Sequence, residues 1–274
     1  MHSYGSESDS NTPTPSMRLV DVHCHLESDA LLPRLDMLLD AARIASVRKC
    51  ISASIHPTQW ELSAALAARY ELVEYAVGVH PWYCDDKAFM ELPRLRHAAR
   101  GAVAIGEIGL DTKTERFPLK RQMECLIRQL QVAQQLALPV ILHCRGAFNE
   151  MLAIFKSHGP PPGGVIHNFS GSPELADQFM DYGLAFSMGG VLTWRNSAKR
   201  RRLLRHIYPD HFLLETDAPD IPPVEARGQT NTPANILYNL LAASEALAIA
   251  PQEIAAVTTG NAIRIFGLRF QDGL

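Results

Sequence analysis

A chain of 274 residues with 47% apolar residues, 20% charged residues and a net charge of −3 suits one large α/β domain or two ordinary ones. That charge excludes bulk attraction to nucleic acid or an anionic membrane, so such a partner must meet a local basic patch. No apolar run is long enough to span a membrane, and five cysteines without a Cys-x-x-Cys pair point to a reducing, cytoplasmic setting.

In chain order, residues 1–17 are rich in Ser, Asp, Asn, Thr and Pro, lack the apolar segment of a signal peptide, and are expected to form a disordered tail. Residues 18–274 are expected to form one domain. There, short apolar runs rich in β-branched residues alternate with longer Ala/Leu/Arg-rich stretches. Strands are expected over 19–23, 49–54, 75–80, 102–107, 139–143, 164–167, 183–187 and 211–217. Helices are expected between them, among others over 31–46, 62–72, 117–137 and 235–247. Strand–helix alternation implies parallel pairing through right-handed crossovers, and eight such units are the count of a (β/α)8 TIM barrel. A doubly wound open sheet is the alternative, since periodicity does not show closure.

The strand ends carry the chemistry. Six of the eight runs finish at His or an acidic residue, and in a parallel barrel those ends lie on the face that holds active sites. In order they offer His23 and His25, then His80, Glu107, His143, His167 and Asp217. His23 and His25, two residues apart, share a strand face and can offer two nitrogens to one ion. The intervening Cys24, like Cys144 beside His143, is expected to turn away as a buried thiol. Each residue alone has a structural reading: a turn cap for His80 and Asp217, a satisfied core histidine for His143 and His167. Together they would be a costly cluster of buried polar groups unless a cation compensates. Six ligands exceed the need of one tetrahedral ion and suit two ions bridged by a carboxylate. Mixed imidazole and carboxylate ligation favours Zn, Mn, Fe or Co over an all-oxygen Mg site, with Mg kept among the candidates.

The motifs Asp21-Val22-His23-Cys24-His25-Leu26, Gly78-Val79-His80-Pro81, Gly106-Glu107-Ile108-Gly109-Leu110-Asp111 and Pro139-Val140-Ile141-Leu142-His143-Cys144-Arg145 are followed by His167-Asn168-Phe169-Ser170-Gly171, Leu214-Glu215-Thr216-Asp217-Ala218-Pro219 and Gly260-Asn261-Ala262-Ile263-Arg264-Ile265-Phe266-Gly267. In this order the chain resembles the TatD family of metal-dependent hydrolases, within the amidohydrolase-like barrels, from about Arg18 to Leu268. The resemblance implies that His23, His25 and Asp217 hold one divalent ion, that His143 and His167 hold the other, and that Glu107 bridges them. It also implies that Asp217 orients or deprotonates the nucleophilic water, making Asp217 and Glu107 the catalytic pair. Arg145, on the face of His143, and His80 at the mouth are expected to contact a substrate phosphate. Asn168 stands where the family usually shows Cys and is expected to face away from the ligands.

The activity implied is a DNase-type phosphodiesterase acting on DNA, with RNA as an alternative; no membrane contact is expected, and the oligomeric state is left open with a monomer favoured. A basic cluster of Arg195, Lys199, Arg200, Arg201, Arg202 and Arg205 beside Trp194 offers cations and a stacking ring. Arg195 is the member expected to reach the mouth, and 199–205 reads equally as the solvated face of a barrel helix. Two other functions stay open: hydrolysis of a small amide, lactone or phosphoester at the same site, and a non-catalytic metal-binding barrel. No Lys ends a proposed strand, so Glu107 takes the bridging place that a carbamylated lysine holds in many amidohydrolases.

Overall fold

The computed structural model describes residues 17–194 and 198–270. The expected tail (but for Met17) and Arg195 lie outside the described residues. The elements run β1 (Leu19–Cys24), α1 (Leu35–Ile44), β2 (Val47–Ala53), α2 (Trp60–Arg69), β3 (Val73–Val77), α3 (Asp86–Glu91), α4 (Leu95–Ala98) and β4 (Ala104–Asp111). They continue through α5 (Leu119–Leu136), β5 (Val140–Arg145), α6 (Phe148–His158), β6 (Gly164–Ile166) and α7 (Pro173–Met180). The chain completes with β7 (Leu184–Met188), α8 (Ala198–Ile207), β8 (Phe212–Leu214), α9 (Ile236–Leu247) and α10 (Pro251–Phe266). The strands pair in parallel in sequence order, β1 to β8. The expected TIM barrel is the fold.

Two apolar layers hold it. Every strand sends small or branched side chains inward, Val20, Val22, Ile51, Ala53, Ala76, Ala104, Ile141, Val165, Ala185 and Leu213. Ala262, Phe266 and Leu268, from α10 and its exit, plug the N-terminal end of this interior. The alternate residues, such as Leu110, Leu142, Ile166 and Phe186, pack outward against the helices with Phe155 and Phe179. Each large apolar side chain so buried contributes about 1.5–3 kcal/mol.

Strict alternation does not bring all the strand-end residues inside. In β1, Val20 and Val22 face the interior, so His23 should point outward with Leu19. The β1–β2 register slips between Asp21 and Cys24, and beyond the slip Cys24 lies in the outer layer while His23 and His25 turn to the mouth. A second slip, between Ile105 and Ile108, does the same for Glu107: Ala104 is interior, Ile105 and Ile108 are both exterior. Gly109 then lies so close to β5 that a Cβ there would run into the His143 backbone. In β5 and β6 plain alternation suffices, because His143 and His167 share the parity of Ile141 and Val165, whereas Asp217 lies beyond β8 on a left-handed backbone (φ 58°) and is placed by its bond to β1.

Closure between β1 and the segment after β8 is made partly by a side chain. The backbone contributes Asp217 N to His23 O at 2.9 Å and His25 N to Ala218 O at 2.7 Å. The buried Asp21 carboxylate accepts Thr216 N at 2.8 Å and Thr216 Oγ1 at 2.5 Å. β8 therefore ends at Leu214, earlier than expected, and residues 215–218 are held by β1 instead of extending the ladder with β7. Asp21→Ala would leave the Thr216 N–H and the Thr216 hydroxyl proton buried without acceptors. It is expected to lower unfolding free energy by about 1–3 kcal/mol, read as a lower urea midpoint with an unchanged slope.

Candidate metal centre

β1, β4, β5, β6 and β8 deliver His23, His25, Glu107, His143, His167 and Asp217 to one point at the C-terminal mouth. Four donor atoms form one group: His23 Nε2 lies 3.5 Å from Glu107 Oε2 and 3.4 Å from Asp217 Oδ1, and His25 Nε2 lies 3.6 and 3.5 Å from the same two oxygens. A tetrahedral ion with bonds of about 2.1 Å has ligand–ligand edges of about 3.4 Å. The second group gathers on the other oxygen of Glu107. His143 Nδ1 is 3.0 Å and His167 Nε2 is 2.9 Å from Glu107 Oε1, and the two nitrogens are 3.2 Å apart. Edges near 3.0 Å match right-angled ligation at about 2.1 Å, the geometry of five- or six-coordinate ions.

The rings are oriented for this. His25 Nδ1 donates to Ala53 O at 2.7 Å, which leaves the Nε2 lone pair facing Glu107 and Asp217. His23 is fully buried, and neither of its ring nitrogens has a hydrogen-bond partner. An orphaned buried nitrogen costs about 1–3 kcal/mol unless something else takes the lone pair. A cation held between His23, His25, Glu107 and Asp217 would do so, and the donor set fits one.

His80 is also close, with Nε2 3.3 Å from Glu107 Oε1. It lies beyond β3, capping a short 3-10 turn over Pro81–Tyr83, and its Nδ1 accepts Trp82 N at 3.1 Å. A neutral imidazole with Nδ1 accepting carries its proton on Nε2, so His80 presents a donor and not a ligand lone pair.

The charges are strongly coupled. Burial works to raise Glu107, but the imidazoles around it, His80, His167 and His23 foremost, outweigh burial and hold the carboxyl well below its ordinary range. Asp217 is likewise held low, burial being overcome by the His23 and His25 imidazoles beside it at 3.4 and 3.5 Å. Burial works to lower His25 and His167, yet Asp217 and Glu107 lift His25 to about 10, and Glu107 lifts His167 to about 9. Burial prevails at His23 and His80, both pushed down to about 4. Without an ion, imidazolium protons balance the two carboxylates.

A cavity of about 630 Å³ opens above these residues, walled by Trp82, Tyr83, Phe169 and Trp194. A larger depression of about 820 Å³, lined by His56, Trp60, Arg94 and His97 among others, lies away from the strand ends and gathers no metal-binding donor group among the described residues. His56, unexplained by sequence, caps the 3-10 turn Pro57–Gln59 by accepting Thr58 N. Arg145 reaches the 630 Å³ cavity, exposed and without an ion-pair partner among the described residues. Of the basic cluster, Arg200 lines the cavity with its guanidinium 5.9 Å from the Trp194 ring. Lys199, Arg202 and Arg205 instead bond Ser170 O, Glu174 and Ala246 O. Arg195 lies outside the described residues.

Asn168 lines the cavity, its backbone left-handed (φ 45°) and its N–H held by Glu215 Oε1 at 2.9 Å. Cys24 is buried as expected, while Cys144 is buried at the cavity edge. Sequence reasoning assigned no role to Asp111, 3.3 Å from His143 Nε2, or to Glu215, 3.9 Å from His167 Nδ1. Their signal was parity: Asp111 shares a strand face with Glu107, and Glu215 with Asp217.

An eight-stranded barrel with this donor set at its mouth belongs to the class of metal-dependent hydrolases. The family model described as TatD related DNase matches residues 20–267, and the chain belongs to that family. It is 34% identical over 256 residues to the metal-dependent hydrolase YcfH of Escherichia coli, covering 91% of this chain and 96% of that one. It is 30% identical over 251 residues to the metal-dependent hydrolase YabD of Bacillus subtilis, covering 90% and 98%. The crystal structure of the TatD homologue YjjV from Escherichia coli superimposes with a TM-score of 0.87 at 31% identity, over 92% of this chain and 99% of that one.

Ions and protons compete for the same lone pairs, so affinity for a divalent ion is expected to rise with pH. Loading the stripped protein near neutral pH should release about two protons per chain, chiefly from His25 and His167. Calorimetry in buffers of different ionisation enthalpy measures this; binding without proton release would contradict the charge assignment.

Proposed function

We propose that the chain is a binuclear metal-dependent phosphodiesterase of the DNase type, acting on DNA and secondarily on RNA. The observation that carries the two-ion reading is the division of donors between the two oxygens of Glu107. His23, His25 and Asp217 face Oε2 or each other at 3.4–3.6 Å, and His143 and His167 face Oε1 at 2.9–3.0 Å. His23, His25 and Asp217 would hold one ion, His143 and His167 the other, and Glu107 both. Divalent ions there would supply positive charge to a phosphoryl oxygen and acidify a water.

The remaining steps are assigned to the chain's own residues. Asp217, kept ionised by His23 and His25, orients the attacking water and accepts its proton. His80 lines the mouth with its N–H 3.3 Å from Glu107 Oε1, and Arg145 brings a guanidinium without an ion-pair partner among the described residues, so both suit a substrate phosphate. Trp82, Tyr83 and Trp194 give bases a surface to stack on, and Arg200 lines the cavity beside Trp194. The family description and the polyanion-suited mouth both favour nucleic acid over a neutral ester or amide. Five buried, unpaired thiols suit a reducing compartment, and we place the protein in the cytoplasm. Among the described residues, no single helix is long and apolar enough to cross a membrane.

The test is a panel of single-stranded DNA, duplex DNA, RNA, a simple phosphodiester, a lactone and an amide, each with Mg, Mn, Co and Zn. DNA cleavage is expected with at least one metal. Asp217→Asn and Glu107→Ala are each expected to lower kcat by about 10²-fold or more, and Arg145→Ala to raise KM with kcat nearly kept. Turnover of the lactone or amide while DNA survives every metal would overturn the nuclease reading.

A further inference from the structure

Asp111 ends β4 at the mouth, yet it is fully buried and every polar group it owns is engaged. Its backbone is pinned by one side chain: Asp111 N donates to Gln122 Oε1 at 2.8 Å, and Gln122 Nε2 donates to Asp111 O at 3.0 Å. The carboxylate Oδ1 accepts Lys113 N at 2.7 Å. Oδ2 accepts the Trp82 indole N–H at 2.8 Å and faces His143 Nε2 at 3.3 Å.

We propose that Asp111 is a positioning residue: it holds His143 with Nε2 protonated and the Nδ1 lone pair turned to Glu107, and through Trp82 it ties that orientation to the cavity wall. An ionised carboxylate can only accept, so the His143 nitrogen facing it must be the N–H. Nδ1, 3.0 Å from Glu107 Oε1 and 3.2 Å from His167 Nε2, would then give its lone pair to an ion held beside Glu107, the Asp111 bond keeping the one remaining ring proton on Nε2. Trp82 is bonded at both ends to groups of the site, its backbone N–H to His80 Nδ1 and its indole N–H to Asp111. Its ring stands edge-on to His80 at 5.0 Å and 6.2 Å from His143. A change in the His143 ring thus passes through one carboxylate to an aromatic side chain that substrate would touch. This rests on the reading of His143 as a ligand of the second ion.

The experiment uses the full chain, stripped and reloaded with Zn²⁺, with thermal melts to confirm folding. In the wild type, ¹⁵N shifts of labelled histidine should report His143 as the Nε2–H tautomer. Asp111→Ala is expected to lose that preference and to weaken one of the two ions by about 10–100-fold, leaving the other unchanged. Asp111→Asn keeps the volume but sets an NH₂ against a donor on one side or the other. It should behave similarly and serves if Asp111→Ala does not fold. Retention of the Nε2–H tautomer, or of wild-type affinity for both ions, in the folded variant overturns the proposal. Zn²⁺ should change tryptophan emission in the wild type much more than in Trp82→Phe, and equal changes overturn the link to the wall. His143→Ala separates the two readings: if it still binds both ions, the ligand assignment fails, whatever Asp111 does.

Discussion

The mouth of this barrel is organised about one buried carboxylate. Glu107 is almost fully enclosed, and its two oxygens face five imidazoles, His143, His167 and His80 on one side and His23 and His25 on the other. A lone carboxylate in such a place would be protonated; the surrounding positive charge keeps it ionised. Everything else at the mouth follows from satisfying it. The histidines arrive from four strand ends, His23 and His25 sharing one, and some have a second nitrogen engaged elsewhere. His25 is anchored by Ala53 O and His143 by Asp111, and His80 is turned the opposite way by Trp82 N.

The barrel separates the requirements of stability and chemistry along its axis. At the N-terminal end the interior is filled by alanine, valine, isoleucine and leucine, and closed by Phe266. At the C-terminal end the same strands turn polar within one or two residues. The seam between β1 and β8 belongs to both regions, since Asp217 N bonds His23 O directly and Asp21 grips Thr216 one residue before Asp217. Closing the sheet and assembling the His23–Asp217 donor pair are therefore one event. This is the preorganisation that metal-assisted hydrolysis needs, because little remains to be ordered when an ion or a substrate arrives.

Much of this was legible residue by residue. Alternation of apolar runs with helical stretches located all eight strands, because parallel strands buried on both faces read as short continuous apolar segments. His143 and His167 could be aimed by counting in twos from Ile141 and Val165. Counting failed at β1 and β4, where register slips change the parity just before His23 and at Glu107. Such slips depend on the neighbouring strand and leave no periodic trace. The left-handed backbone of Asn168, whose N–H is held by Glu215 from beyond β8, has no periodic trace either.

The sequence by itself determined eight alternating strands and helices and the chemical types gathered at the strand ends, because these follow from local periodicity and from polar residues at strand ends, while closure of the sheet into a barrel was decided by the tertiary structure. Tertiary structure alone decided which nitrogen of each histidine faces Glu107, that His80 is a donor, that Arg200 shares the cavity wall, and that Asp111 lies behind His143. Those are properties of contacts between strands far apart in the chain, fixed by the twist and closure of the sheet, and no single segment contains them.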